Sequence, residues 1–325
     1  MKIAITGASG HIGASVLPLL LSKGFSVEAL VNTSNLKTGF EKVKIINGNL
    51  FELTALQNLV TNCDVVIHCA AKISMNSNHD TSVYETNYRG TKNIFSAAVA
   101  AGVKKFIYIS SIHAYSQIPG DVVLDESRAY CNSIAAQYDQ SKRDAQQFVF
   151  QNKSTMEVVA INPTSVAGPP DFRPSLFGKA LMDIYNGKIP MLINGGFDFC
   201  DVRDVSCAVV RAIEKGRNGE AYLLGGKWHS MAEVYKMVMN YKGEKSSITV
   251  LPGWVGYLGL PFIKLQSKLK NETPLYTSES LNVLLQGNKH INYDKAKLEL
   301  CYKCRPLTET VTDLLSNFKQ TGQLK

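Results

Sequence analysis

The chain has 325 residues, a formal net charge of +8, and 45% hydrophobic against 19% charged residues. That composition fits an ordinary globular protein, long enough for one large α/β domain with a smaller lobe. No low-complexity tract, heptad run or internal repeat is present, and the lysines are scattered rather than interleaved with aromatics, which excludes a nucleic-acid face.

The chain opens on MKIAITGASG, a strand running into a glycine turn rather than a basic and apolar leader, so the expected compartment is the cytoplasm. Strands are predicted at Lys2–Thr6, Ser26–Val31, Val43–Ile46, Asp64–Cys69, Lys105–Ser110 and Val158–Asn162. They are continuous Val/Ile/Ala/Phe runs, the pattern of strands buried on both faces. Helical stretches are predicted between them, around 11–22, 52–60, 81–101 and 133–151. Two successive βαβαβ halves of this kind make a doubly wound parallel sheet, the Rossmann dinucleotide fold. After Pro163 come a proline-marked loop, a helix near 175–187, a helix over Asp201–Gly219 and a returning strand at Ala221–Leu224. The last hundred residues are expected to be mainly helical. The expected division is a dinucleotide-binding domain over 1–165, re-entered by about 200–228, and a substrate lobe from 166–199 and 229–325. The apolar run Leu251–Leu265 is broken by Pro252, Gly253, Gly256, Gly259 and Pro261, so no membrane span is expected. Seven scattered cysteines, with Cys301 and Cys304 as a lone CxxC lacking a second pair or a histidine cluster, predict neither a disulfide framework nor a metal site.

Thr6-Gly7-Ala8-Ser9-Gly10-His11-Ile12-Gly13 follows the first strand directly and opens a helix. Gly7 permits the tight turn, Gly10 a close approach of backbone to a pyrophosphate, and Gly13 close helix–sheet packing, while Ser9, His11 and Ile12 complete the turn. The helix N-terminus offers free N–H groups to phosphate. At the end of the second strand, Val31-Asn32-Thr33-Ser34-Asn35-Leu36-Lys37 lacks the carboxylate that would bind a ribose 2′-hydroxyl and repel a 2′-phosphate. Asn32 and Lys37 therefore favour NADP(H), with NAD(H) the alternative, since a neutral turn also accepts NAD.

Tyr138 and Lys142 stand four apart on a predicted helix, so both point into one cleft. A lysine cation lowers the pKa of a neighbouring phenol and suits it to acid/base work. Ser110 and Ser111 end the fifth strand at the carboxyl edge of the sheet, where open α/β sheets bind ligands.

TGASGHIG, Gly48-Asn49-Leu50, Cys69-Ala70-Ala71, Asn87 in NYRGT, FIYISS, YDQSK, INPTSVAGP, DVRDV and GEAYLLGG occur in that order over nearly the whole chain. In this combination the chain resembles the extended short-chain dehydrogenases/reductases of the NAD-dependent epimerase/dehydratase superfamily, in the dihydroflavonol reductase-like and 3β-hydroxysteroid dehydrogenase-like branch. The resemblance implies Tyr138 as general acid/base, Lys142 as holder of the nicotinamide ribose, and Ser111 as hydrogen-bond donor to the substrate oxygen, with Ser110 the deeper alternative. It places Asn49 and Leu50 beside the adenine, although relatives have Asp before that Leu. Ala70 and Ala71 line the ribose-phosphate path, and Pro163, Thr164, Ser165 and Val166 pass beside the nicotinamide. Asn87 is expected to be structural.

The activity so implied is reduction of a ketone or aldehyde, or oxidation of the alcohol, on a small-molecule substrate. The alternatives are a sugar or nucleotide-sugar epimerase/dehydratase and a catalytically silent dinucleotide sensor. Phe197-Asp198-Phe199 lacks the arginine that clamps a sugar diphosphate, INPT lacks the arginine before proline, and Ser111-Ile112-His113 replaces the Thr-Asp-Glu of dehydratases. All three departures favour a reductase. Retention of Ser, Tyr and Lys argues against a silent sensor. Relatives pair as homodimers through the helices near Asn87 and Tyr138, and the sequence leaves the oligomeric state open. His113 is expected to be a turn histidine, Asp125-Glu126 a loop feature, and Trp254, Tyr257 and Phe262 core aromatics.

Overall fold

The computed structural model describes residues 1–32, 36, 40–73, 81–153, 156–260 and 277–324. Its centre is a seven-stranded, all-parallel sheet of β1 (Lys2–Thr6), β2 (Ser26–Val31), β3 (Lys44–Asn47), β4 (Val65–His68), β5 (Lys105–Ile109), β6 (Glu157–Pro163) and β10 (Glu220–Leu224). Their spatial order is β3-β2-β1-β4-β5-β6-β10. The chain runs outward from β1 to β3 and then returns to lay β4 on the other side of β1, so the strand order reverses between β1 and β4. A crevice opens above the carboxyl ends of the strands at such a reversal.

Both faces of the sheet are covered, which is why its strands read as unbroken apolar runs. On one face α1 (His11–Ser22) and α7 (Val202–Lys215) pack with Val16, Leu17, Leu20, Val205 and Val209 against Ile3, Ile5 and Ile107. On the other, α2 (Leu53–Val60), α4 (Gly90–Ala100) and α5 (Gln137–Gln151) bring Leu56, Ile94, Phe95 and Val149 onto Ala4, Val66, Phe106 and Val158. The helix predicted over 81–101 is broken into α3 (Thr81–Tyr84), a π-helical turn at Glu85–Arg89 and α4. Such wide turns collect at functional sites.

Lys105, on β5 and 8% exposed, donates to the carbonyls of Ile213 and Gly216 at 3.0 Å each. It thereby satisfies the otherwise orphaned C-terminal carbonyls of α7. At the sheet's edge, Glu126 accepts from Leu223 N at 2.9 Å and Lys295 donates to the Ala221 carbonyl at 2.8 Å, so side chains occupy the outer backbone groups of β10. Asp125 accepts from Ser127 N and Oγ. Asp125-Glu126 is therefore a loop feature, with Glu126 tied to the sheet edge.

A second core lies outside the sheet, where α6 (Leu176–Tyr185), α8 (Met231–Lys242) and the helix Leu307–Gln320 bury Leu181, Val234, Val238, Val311, Leu314 and Phe318. Five short strands that the sequence reading did not place accompany it. β7 (Ser165–Ala167), β9 (Gly196–Asp201) and β11 (Lys227–Ser230) form a three-stranded sheet, and β8 (Met191–Ile193) pairs with β12 (Thr249–Leu251). Asp201 joins the two cores: it caps α7 through Arg203 N at 2.8 Å, pairs with the Arg203 guanidinium, and accepts from Thr310 at 2.8 Å. Trp254 is 65% exposed, so it is not a core aromatic, and Phe262 lies outside the described residues. No helix among the described residues is long and apolar enough to cross a membrane.

Candidate active site

β1 and β4 end side by side, and their last side chains are locked together. Thr6 Oγ1 lies 2.6 Å from His68 Nδ1, and His68 Nε2 lies 2.9 Å from Thr91 Oγ1. Thr91 gives its own hydrogen to the Asn87 carbonyl at 2.6 Å, so His68 Nε2 carries the proton and Nδ1 accepts from Thr6. Burial, together with the charge of Lys142, pulls His68 down to about 3 and keeps it neutral. It is a structural pin.

Gly7 then turns the chain at φ +71°, and a Cβ there would sit 2.5 Å from Ala70 N. One on Gly13 would sit 2.2 Å from the Gly7 carbonyl oxygen, whereas at Gly10 it would meet only that oxygen, at 3.2 Å. The fold itself thus demands glycine at the first and third positions. At the exposed second position, bare backbone leaves room for a ligand to approach the α1 N-terminus, where no acidic side chain stands in the first turn. This geometry fits a dinucleotide pyrophosphate. Ser9, Gly10 and His11 line a cleft there, with Asp171 and Arg173 opposite, and His11 Nε2 lies 2.7 Å from the Gly168 carbonyl. Ile12 packs against the core of the sheet.

Asn32 is exposed at the end of β2, and Lys37 lies outside the described residues. Asn49 uses its side chain locally, accepting from Phe51 N at 2.8 Å and donating to Glu52. Leu50 is buried beneath Gly90 and Asn93. Ala70 and Ala71 follow β4 at the mouth of the crevice, the first half-buried and the second exposed. Thr164 N donates to the Leu224 carbonyl at 3.1 Å, which fixes the segment of Pro163, Thr164, Ser165 and Val166 against β10.

On α5, Tyr138 and Lys142 rise one turn apart beneath β5. Lys142 is 3% exposed and donates to the Ile109 carbonyl at 2.8 Å, with its ammonium 5.2 Å from the Tyr108 ring centre. Burial pulls its pKa down to about 8, against the opposing influence of Cys69. Burial pushes Tyr138 up to about 12, while the neighbouring Ser111 hydroxyl works in the opposite direction. Burial dominates at Tyr138, and the ammonium of Lys142 is turned toward the end of β5. Its charge is held by a backbone carbonyl. Of the two serines, Ser111 stands beside Tyr138 and accepts from His113 N at 3.2 Å, whereas the Ser110 hydroxyl is buried behind it.

Asn87 earns its place through the π-helical turn. It is 1% exposed, accepts from Lys72 N at 2.7 Å, and donates to Lys72 O and Ser141 Oγ at 3.0 Å each. Ser141 in turn donates to the Tyr138 carbonyl at 2.7 Å. The start of α5 is therefore bolted to the segment that follows β4.

His113 is a turn histidine, as the sequence leads one to expect. It lies on a short turn, Ile112–Ala114, and its ring stands edge-on to Tyr138 with centroids 6.2 Å apart. Its Nδ1 is 3.4 Å from Asp139 Oδ1. Burial opposes its charged form, yet the charge and hydrogen bond of Asp139 outweigh that, and the pKa is raised. The signal was available: His113 stands two residues beyond Ser111, and Asp139 directly follows Tyr138. Phe197, at the position of the sugar-diphosphate arginine, packs with Phe199 at 5.9 Å between ring centres.

The sequence pattern of the NAD dependent epimerase/dehydratase family matches residues 3–225. Sterol demethylase protein B of Methylococcus capsulatus is 23% identical over 100% of both chains. A putative dihydroflavonol 4-reductase of Synechocystis is 26% identical, over 99% of this chain and 95% of its own. Among solved structures, gox2253 aligns with a TM-score of 0.82 at 26% identity, over 100% of this chain and 99% of its own. MoeE5 in complex with UDP-glucose and NAD aligns with a TM-score of 0.78 at 20% identity, over 99% of both chains, a likeness of fold. With the family pattern running from β1 to the Gly225 that follows β10, this chain belongs to the NAD-dependent epimerase/dehydratase family.

Proposed function

We propose that the protein is an NADP(H)-preferring reductase of ketones or aldehydes, running as an alcohol dehydrogenase in reverse. The observation that carries this is the Tyr138 phenol, held neutral by burial and standing beside Ser111 at the carboxyl edge of the sheet. A reduced nicotinamide supplies the hydride when bound. Tyr138 then gives its phenolic proton to the nascent alkoxide, and Ser111 donates a hydrogen bond to the same oxygen. Lys142 presents its buried ammonium below them for the ribose. Residues 1–165 with about 200–228 hold the cofactor, and 166–199 with 229–325 cover the substrate, with a core of their own around Leu181, Val234 and Leu314, while Ala296, Leu300 and Tyr302 return to the core of the sheet. Phe197 makes the lobe apolar where a sugar diphosphate would need a cation, which supports a reductase over a nucleotide-sugar enzyme. Relatives described as a dihydroflavonol 4-reductase and as cinnamoyl-CoA reductases point the same way.

The test is NADPH absorbance against aromatic ketones, aldehydes, steroids and nucleotide sugars. We expect turnover of a carbonyl compound, with tighter binding of NADPH than NADH. Asn32→Asp should weaken NADPH by repelling the 2′-phosphate. Saturable turnover of a UDP- or dTDP-sugar, with every free carbonyl inert, would overturn the reductase assignment.

A further inference from the structure

The segment from Gly168 to Ser175 connects the strand Ser165–Ala167 to α6, and it is pinned at three points. The Gly168 carbonyl lies 2.7 Å from His11 Nε2. Gly168 itself, at φ +106°, lies so close to Asp201 that an added Cβ would be 2.8 Å from its carboxylate oxygen. Asp171, 1% exposed, accepts from Ser175 N at 2.8 Å and Oγ at 2.7 Å. The turn so fixed puts Arg173 across a cleft from Ser9, Gly10 and His11.

Charge makes this placement unusual. A cation lines the same cleft as the N-terminus of α1, which carries partial positive charge and no acidic residue in its first turn. Arg173 is exposed and makes no ion pair or hydrogen bond among the described residues. The carboxylate that lines the same cleft, Asp171, is committed to Ser175. With that carboxylate buried and turned to Ser175, the groups left at the open side of the cleft are the α1 N-terminus and Arg173, both positive, and together they complement an anion from outside the chain. The family pattern covers this region and the room beside Gly10 fits a diphosphate.

We propose that Arg173 clamps the pyrophosphate of the dinucleotide from the side opposite the α1 N-terminus. The guanidinium fork suits two phosphate oxygens at once. Because the same turn leads into α6, occupation of the cofactor site also fixes the entrance to the substrate lobe. This rests on the dinucleotide part of the reading above, not on the carbonyl chemistry.

The experiment is fluorescence titration of wild type, Arg173→Gln and Arg173→Lys with NADPH, NADH and ADP-ribose. Thermal unfolding without ligand is run alongside, and an exposed, unpaired side chain should leave it unchanged. Losing a charge-assisted contact should weaken binding by about tenfold to a hundredfold. The factor should be alike for all three ligands, because all carry the diphosphate, and Arg173→Lys should keep part of the affinity. Loss confined to NADPH would assign Arg173 to the 2′-phosphate and overturn the proposal, as would unchanged affinity throughout. Wild type binding none of the three would sink it together with the cofactor reading. Wild type that binds all three but reduces no carbonyl would remove the reductase assignment alone, and the Arg173 ratios would still decide the clamp.

Discussion

Tyr138→Phe deletes one oxygen from a half-buried ring and leaves its packing in place. The alkoxide formed by hydride transfer then lacks a positioned donor, so kcat should fall by roughly 10²–10⁴-fold while NADPH affinity holds. Steady-state kinetics beside cofactor titration would check this, and near wild-type turnover would move the acid role elsewhere, with His113 the neighbour to test. His113 makes its own prediction. Its raised pKa depends on Asp139 overcoming burial, so Asp139→Asn should carry the imidazole below the ordinary histidine value of about 6.5. Proton NMR titration reads the shift directly. For stability the sign is fixed by the direction: the pair stabilises the fold fully below the unfolded value and loses that contribution as pH rises through the raised one. In Asp139→Asn that alkaline loss should vanish from urea unfolding across the same window. The tyrosine and lysine were legible because their spacing equals one helical turn. The orientation of His113 was not, since it depends on how a three-residue turn at the end of β5 meets a helix that begins 23 residues later.

Lys105 shows what a charged residue does inside an otherwise apolar strand. It reaches from β5 to the end of α7 and also meets Glu157 Oε2 at 3.0 Å, so one side chain links two strands and a helix terminus. Lys105→Met keeps the stem and removes the donor, leaving the Ile213 and Gly216 carbonyls without it. We expect a loss of about 1.5–3 kcal/mol in urea unfolding, with kcat preserved. A change under about 0.5 kcal/mol would mean that water replaces the ammonium at no cost. The strand itself was readable despite this lysine because its other residues form a continuous apolar run. Reach across 111 positions of sequence is invisible to any local pattern. The same holds for the five short strands around the second core: three- to six-residue segments carry too few repeats of the alternation to be told from loop.

At the scale of the molecule, the doubly wound sheet was legible since each βα unit announces itself by an apolar run, a turn and a helical stretch. The glycine turn was legible for the same reason, as its meaning depends only on the strand before it and the helix after it. The substrate lobe was less so. Its short strands come from separate stretches of the chain, such as Met191–Ile193 with Thr249–Leu251, and it is tied to the sheet over longer spans still, by Asp201 with Thr310 and Arg203 with Asp313.

The covered edge of β10 has a consequence for how copies of this protein meet. A terminal strand with free N–H and C=O groups is a template on which another chain can add a strand, and long sheets grow that way into aggregates. Here a carboxylate and an ammonium occupy the Leu223 and Ala221 positions, so a strand arriving at that edge must first displace two charged side chains. The molecule thus discourages sheet extension at β10.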